Sequence, residues 1–294
     1  MAASKPATRV TAGRQSASGY NRAPFRIRGP LGDRVKRVYV VWLGVCVIAL
    51  VGLPAQAFAQ SDEIQVYDAG LAPRGVFNLT LHTNFTPKGI KTPAFPGAVV
   101  SDKSLNGVPE WALGVRDWFE AGLYLPLYTR DNRNGWGLDG FKLRALFAVP
   151  RADDRHFFYG ANFEFSVNAK RWDAKRVSSE VRPIVGWHVK KVDLILNPIV
   201  DTAYDGFENL EFVPSTRVAY HTSVTTAIAV ETYSDFGPLK GFLPAGQQVH
   251  QLFAVIDHPA GGLNIEAGIG VGLNHSSDRL QLKLILSRDL NKKK

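Results

Sequence analysis

The sequence predicts an all-β protein, an antiparallel transmembrane β-barrel of about twelve strands. Three observations carry this. From Gly75 to Leu290 the chain runs in segments of about ten residues that alternate apolar and polar side chains, as a wall between lipid and a polar interior requires. The connections between segments are alternately tight and long. No stretch of useful length repeats apolar residues at the helical period, and the 17 prolines and 27 glycines fall mostly between the alternating runs.

The chain begins with a basic leader. Residues 1–37 hold nine Lys or Arg against one acid, Asp33, which accounts for +8 of the formal +9. The remainder is close to neutral, so a nucleic-acid partner is excluded on charge. Val38 to Leu53 is an apolar run flanked by Arg34, Lys36 and Arg37 and followed by Ala57-Phe58-Ala59. Basic flank, apolar core and A-x-A predict a secretory signal cut between Ala59 and Gln60, too short to span a bilayer. The only cysteine, Cys46, lies inside that run, so the exported chain forms no disulfide. Residues 1–59 are thus leader and signal, 60–74 a short periplasmic lead-in, 75–290 the barrel and 291–294 a basic tail.

Twelve strands are expected at 75–84, 108–116, 118–128, 139–149, 156–168, 178–188, 192–202, 211–220, 224–234, 248–257, 263–273 and 279–290. In the fifth, Phe157, Tyr159, Ala161, Phe163, Phe165 and Val167 form one face, and Gly160, Asn162, Glu164, Ser166 and Asn168 the other. In the fourth, Phe141 to Val149 alternate with Lys142 and Arg144. In the last, Leu280, Leu282, Leu284 and Leu286 alternate with Gln281, Lys283 and Ser287. Period two fixes the face of every residue once one face is known. Connections are tight around Asp117, Arg151–Arg155, Lys190-Lys191, His221–Ser223 and His258–Gly262. They are longer at 85–107, 129–138, 169–177, 203–210 and 235–247, with a brief last one near 274–278. Short turns at one end and long loops at the other separate a bacterial barrel from a soluble, periplasmic β-rich binding protein. Trp111, Phe119, Trp187 and Tyr220 stand near predicted strand ends, where aromatic girdles belong.

The polar face then lines the lumen with Glu120, Lys142, Arg144, Glu164, Arg182, Asp193, Asp201, Arg217, Glu231, Glu266 and Lys283. Both signs on neighbouring strands fit either an ion-paired filling or a charge-lined constriction for small solutes. The proline-rich first loop folds inward or covers the outer mouth.

Other chemistry is weakly supported. Gly268-x-Gly270-x-Gly272 lacks the spacing and the following helix of a phosphate loop. His275 and Ser277 in the last outer loop, with Glu266 or Asp278 as orienting carboxylate, are the one candidate for a lipid hydrolase. Nucleophilic catalysis requires these groups within hydrogen-bond reach of one another. The remaining histidines lack metal-site spacing, and no cofactor or metal is expected.

The run from Glu63 to Leu290 resembles a family of uncharacterised proteobacterial outer-membrane β-barrel proteins. The likeness lies in EIQVYDAGLAPRGVFNLTLHTNFTP, WALGVRDWFEAGLYLPLY and LQLKLILSRDL. More distantly it is similar to barrel transporters linked to aromatic-compound degradation, of the phenol meta-pathway type. The resemblance implies an envelope barrel, with outer-membrane lipids and the barrel-assembly machinery as partners. It carries over no catalytic residue. The last strand ends at Leu290 rather than on an aromatic residue and continues Asn291-Lys292-Lys293-Lys294, which implies an internal assembly signal. The reading is an outer-membrane passive channel or structural envelope protein, a monomer by default because a closed wall leaves no edge.

Overall fold

The computed structural model describes residues 63–291; the leader, the cleavage site at Ala59–Gln60 and residues 292–294 lie outside them. The strands are β1 (Phe77–Lys88), β2 (Ser104–Arg116), β3 (Phe119–Asp131), β4 (Gly135–Ala148), β5 (Phe157–Asn168), β6 (Val177–Val189), β7 (Val192–Asn197), β8 (Val200–Thr202), β9 (Glu211–Phe212), β10 (Ser215–His221), β11 (Ala227–Asp235), β12 (Val249–Ala260), β13 (Leu263–Gly272) and β14 (Leu280–Asp289). All pair antiparallel with their neighbours. The β1–β14 and β5–β6 ladders close the sheet on itself.

The fourteen segments make twelve staves. β7 and β8 are one strand interrupted at Pro198, and β9 and β10 one strand interrupted at Pro214. Proline has no N–H to give to a ladder. Asn197 pairs with Ser215 below the interruption and Val200 with Phe212 above it, so the register continues across both prolines.

The wall is apolar outside. Leu143, Phe163, Phe165, Leu194, Leu196, Val218, Val230, Ile256, Ile269, Leu282 and Leu284 all stand exposed on the outer face. In water such a surface would be a large uncovered hydrophobic patch; in a bilayer it is the lipid-facing band. An aromatic girdle of Phe77, Trp118, Phe119, Phe147, Phe157, Trp187 and Tyr220 rims the tight-turn end. Within it Phe119 stacks on Phe147 at 4.8 Å, and Phe157 meets Trp187 at 5.5 Å. The inner face is polar with apolar inserts. Phe253, fully buried, lies across the β12–β13 pair where Gly270 leaves its inner position bare, so any Cβ there would strike the ring.

Four expectations change. The first outer connection, expected at 85–107, is confined to 89–103, because β1 runs on to Lys88 and β2 begins at Ser104. The connection predicted at 129–138 is mostly ladder: β3 and β4 extend outward as a hairpin closed by the 132–134 turn, which Asp131 caps through the N–H groups of Arg133 (2.8 Å) and Asn134 (2.5 Å). Trp111 sits within β2 rather than at its end, because that strand begins at Ser104. Residues 63–72, part of the segment 60–74 read as a periplasmic lead-in, run inside the wall: Ile64, Val66, Tyr67 and Ala69 are buried against inward side chains.

Candidate functional site: the charged barrel interior

The inner strap from Glu63 to Ala72 forms no ladder. Wall side chains bind its backbone instead. Asn197 accepts from the Tyr67 N–H at 2.7 Å and donates to the Tyr67 carbonyl at 3.0 Å. Arg182 donates to the Gln65 carbonyl at 3.1 Å, and Lys283 to that of Ile64 at 3.2 Å. The Ala72 N–H reaches Glu120 at 2.5 Å. The Tyr67 ring lies under the Arg182 guanidinium at 4.5 Å and near that of Arg144 at 5.7 Å, and its hydroxyl meets the Tyr124 hydroxyl at 2.5 Å.

Around this strap the predicted lumen charges fall into groups. On β2–β4, Arg144 bridges Glu110 (2.6 Å) and Glu120, and Glu110 also bonds His82 of β1 at 3.1 Å. Lys142 pairs with Glu164 across β4–β5 at 3.4 Å, and Asn162 donates to the same carboxylate at 2.8 Å. Arg182 pairs with Glu180 at 2.6 Å and lies 3.7 Å from Glu63 of the strap. Asp201 stands opposite Glu180 in the β6–β8 register.

On β10–β14, Arg217 binds Glu231 and Asp257 and lies 3.5 Å from Glu266. Lys283 binds Glu231 and, at 2.5 Å, Glu266. Tyr233 completes Glu231 with a 2.6 Å hydrogen bond. At the tight-turn rim Asp193 bridges His188 (2.7 Å) and His221 (2.5 Å).

All eleven predicted charges therefore lie on the inner face. Glu110, His82, Asp257 and Glu63 were not among them. Period two does put Glu110 inward, but within the strand expected at 108–116 its face otherwise carries Val108, Ala112 and Gly114; the polar Ser104 and Asn106 of the same face fall in what reads as a loop.

A cavity of about 560 Å³ occupies the tight-turn half of the interior. Its walls carry Asp68, Asp153, Asp193, Asp257 and Glu266 against Arg217 and Lys190, with His188 and His221 at the rim and Gln65 and Val66 of the strap among its lining. Burial, reinforced by the neighbouring Asp68, raises the Asp153 carboxyl above its ordinary range. At the long-loop end, residues 89–103 turn over the interior. Ala98, Val99 and Val100 are buried, and the Val99 N–H bonds the Arg171 carbonyl at 2.9 Å. Arg171 is itself held by Asp139 at 2.7 Å. The other end of this loop is tied to Asp278, which accepts from Ser101 Oγ at 2.6 Å and the Ile90 N–H at 2.8 Å.

The hydrolase arrangement does not assemble. Ser277 is buried and its hydroxyl donates to Asn274 at 2.6 Å while accepting the His250 N–H at 2.8 Å. His275 is exposed beside it and shares no hydrogen bond with it. Glu266 sits toward the opposite end of the barrel, bound to Lys283. The polar turn satisfies itself locally, as Asn- and Ser-rich turns do.

No protein-family model matches the chain, and no curated protein matches it. Among solved structures it is similar to an outer-membrane channel from Pseudomonas putida F1, at 13% identity and a TM-score of 0.52, covering 78% of this chain and all of that one. It is also similar to the NanC porin (10% identity, TM-score 0.48, 73% of this chain and all of that one). A further match is OprD of Pseudomonas aeruginosa (8% identity, TM-score 0.35, 78% of this chain and 99% of that one). At these identities the likeness is one of fold: this chain is a closed, twelve-stave outer-membrane-type β-barrel.

Proposed function

We propose that the protein is a passive outer-membrane channel for small solutes. The observation that carries this is the polar cavity of about 560 Å³ enclosed by a wall that is apolar outside. A barrel that served only as a structural element would gain more from an apolar interior, because replacing buried ion pairs by packed hydrophobic residues is often stabilising. Charges of both signs on facing strands retain a hydrated route and sort what takes it by size and sign. The strap narrows that route above the cavity, with Tyr67 between Arg144 and Arg182. Similarity in fold to an outer-membrane channel supports the same reading.

The protein is exported by cleavage after Ala59, inserted by the barrel-assembly machinery and active as a monomer without cofactor. Single-channel conductance of the chain from Gln60 onward, refolded and reconstituted in a planar bilayer, tests the proposal. Folding is first established by a mobility shift between unheated and boiled samples. Reproducible steps whose size or ion preference changes in Arg182→Gln are expected. A folded barrel that stays silent, also when residues 63–72 are deleted, would overturn the channel reading and leave a structural envelope protein.

A further inference from the structure

Inside the barrel the strand cations Lys142, Arg144, Arg182, Arg217 and Lys283 are each paired with a carboxylate. The outer face is different. Arg130 on β3 and Arg133 in the turn that follows are exposed, and among the described residues neither guanidinium has an ion pair or a hydrogen bond. The nearest acid, Asp131, points inward and is occupied by the turn, accepting from Arg133 N–H, Asn134 N–H and, at 3.0 Å, the Asn134 amide.

The height of this pair in the membrane follows from the ladder. Phe119 faces Phe147 within the tight-turn girdle, and Arg130 faces Trp136 at the other end of the same two strands. About eleven residues separate the two levels. That is roughly 28 Å of height at 3.3 Å per residue and a 40° tilt, just beyond an apolar band of about 25 Å. Arg130 and Arg133 therefore stand at the headgroups of the outer leaflet. Beside Arg130 across the pair stands Trp136, 65% exposed on the lipid side; one step below are Leu138, 69% exposed, and its partner Tyr128, whose ring lies 6.1 Å from that of Trp136.

We propose that this β3–β4 hairpin is a binding surface for lipopolysaccharide, its two guanidiniums taking a phosphate of the glycolipid and Trp136, Leu138 and Tyr128 lying along its acyl chains. Arginine forks match phosphate oxygens in paired, charge-assisted hydrogen bonds. An indole at the interface accommodates the junction of sugar and acyl chain. Charge complementarity favours this hairpin over the loop between β8 and β9. The loop between β8 and β9 also exposes aromatic residues, Tyr204 and Phe207, but carries Asp205 and Glu208 beside them, which repel a phosphate. This inference is independent of the channel reading.

Native mass spectrometry of the exported protein, purified from outer membranes and exchanged into detergent, tests it by titration with three probes. These are bis-phosphorylated lipid A, lipid A stripped of phosphate, and phosphatidylglycerol. One bis-phosphorylated lipid A is expected to remain bound, with Arg130→Gln/Arg133→Gln weakening it about tenfold and Trp136→Ala by a smaller factor. Lys240→Gln, on the opposite loop, is expected to leave binding unchanged. Undiminished binding by the double variant would overturn the proposal. So would equal binding of phosphate-free lipid A, which would mark a merely apolar surface, or of phosphatidylglycerol, which would mark a general anionic-lipid surface. If the double variant fails the heat-shift test for folding, Arg133→Gln alone, at an exposed turn, carries the comparison.

Discussion

Two charge clusters share the barrel interior and the same chemistry, yet they meet water differently. In the cluster on β2–β4, the side chains of Arg144, Glu110 and Glu120 are 3%, 7% and 6% exposed, and the strap covers them with Tyr67. In the cluster on β10–β14, exposure is graded. Lys283 and Glu231 are completely buried, while Arg217, Glu266 and Asp257 face the cavity, Asp257 with a third of its side chain open. The first cluster has one cation for two carboxylates. The second has two cations sharing three. Whether an interior charge acts as a structural tie or as part of a solute path is thus decided by burial and by how many partners each group keeps, not by residue type.

The largest effect is expected where a single cation carries the load. Arg144→Met leaves Glu110 and Glu120 facing each other in a dry site and is expected to cost about 3–5 kcal/mol, the range for breaking a buried ion pair. Urea unfolding of the barrel in lipid vesicles measures it. Lys283→Met is expected to cost less, about 2 kcal/mol, because Arg217 still serves both Glu231 and Glu266 and Tyr233 still donates to Glu231. Equal losses in the two variants would mean that the second cation shares nothing, and the contrast between the clusters would fall.

The sequence foreshadows these clusters only in part, and the reasons are physical. Alternation places each of the eleven charges inward because a strand has two faces and one must meet lipid. All twelve staves are recognisable for the same reason, including the two that Pro198 and Pro214 interrupt. Who pairs with whom is not written locally: Arg217 reaches Asp257 and Lys283 reaches Glu231 through the closed circumference. The strap is less visible still. Glu63 to Ala72 has no clean period, and its partners Asn197, Arg182 and Lys283 lie more than a hundred residues away. The β3–β4 hairpin reads as a loop because Asp131, Asn132, Asn134 and Gly135 are turn formers, and nothing local says that the ladder continues to them. His275 and Ser277 are close in sequence, but proximity in a turn does not orient a hydroxyl toward an imidazole.

At the open edge of the second cluster, stability and function should separate. Asp257→Asn removes a charge already in contact with water, so a loss below about 1 kcal/mol is expected, as for exposed ion pairs. Its effect belongs to the cavity, where five carboxylates outnumber two basic residues. Reversal potentials measured across a salt gradient are expected to show a weaker preference for cations in the variant. A stability loss as large as that of Arg144→Met, with no change in ion preference, would make this edge a structural tie like the first cluster.

The smallest effect is expected at a carboxylate with no cation in contact. Asp278, in the loop between β13 and β14, is buried against the first outer loop and satisfied by neutral donors: Ser101, the Ile90 N–H and, at 3.2 Å, Gln281. Burial raises its carboxyl above the ordinary aspartate range, outweighing the hydrogen bonds that pull it down. The folded loop therefore holds its proton to higher pH than the unfolded chain does. In the window between those two values the folded state binds more protons, so its stability falls as pH rises and is regained on acidification. This is opposite in sign to what a salt-bridged carboxylate contributes. Hydrogen exchange of the amides at 89–103 is expected to slow modestly as pH falls through that window, after correction for intrinsic exchange. Asp278→Asn keeps an acceptor for Ser101 and Ile90 without the charge, and should abolish that dependence. A loop that instead loosened on acidification would mean that an unrecognised cation pairs with Asp278, and the contrast between paired and neutral satisfaction of interior acids would no longer hold at this end of the barrel.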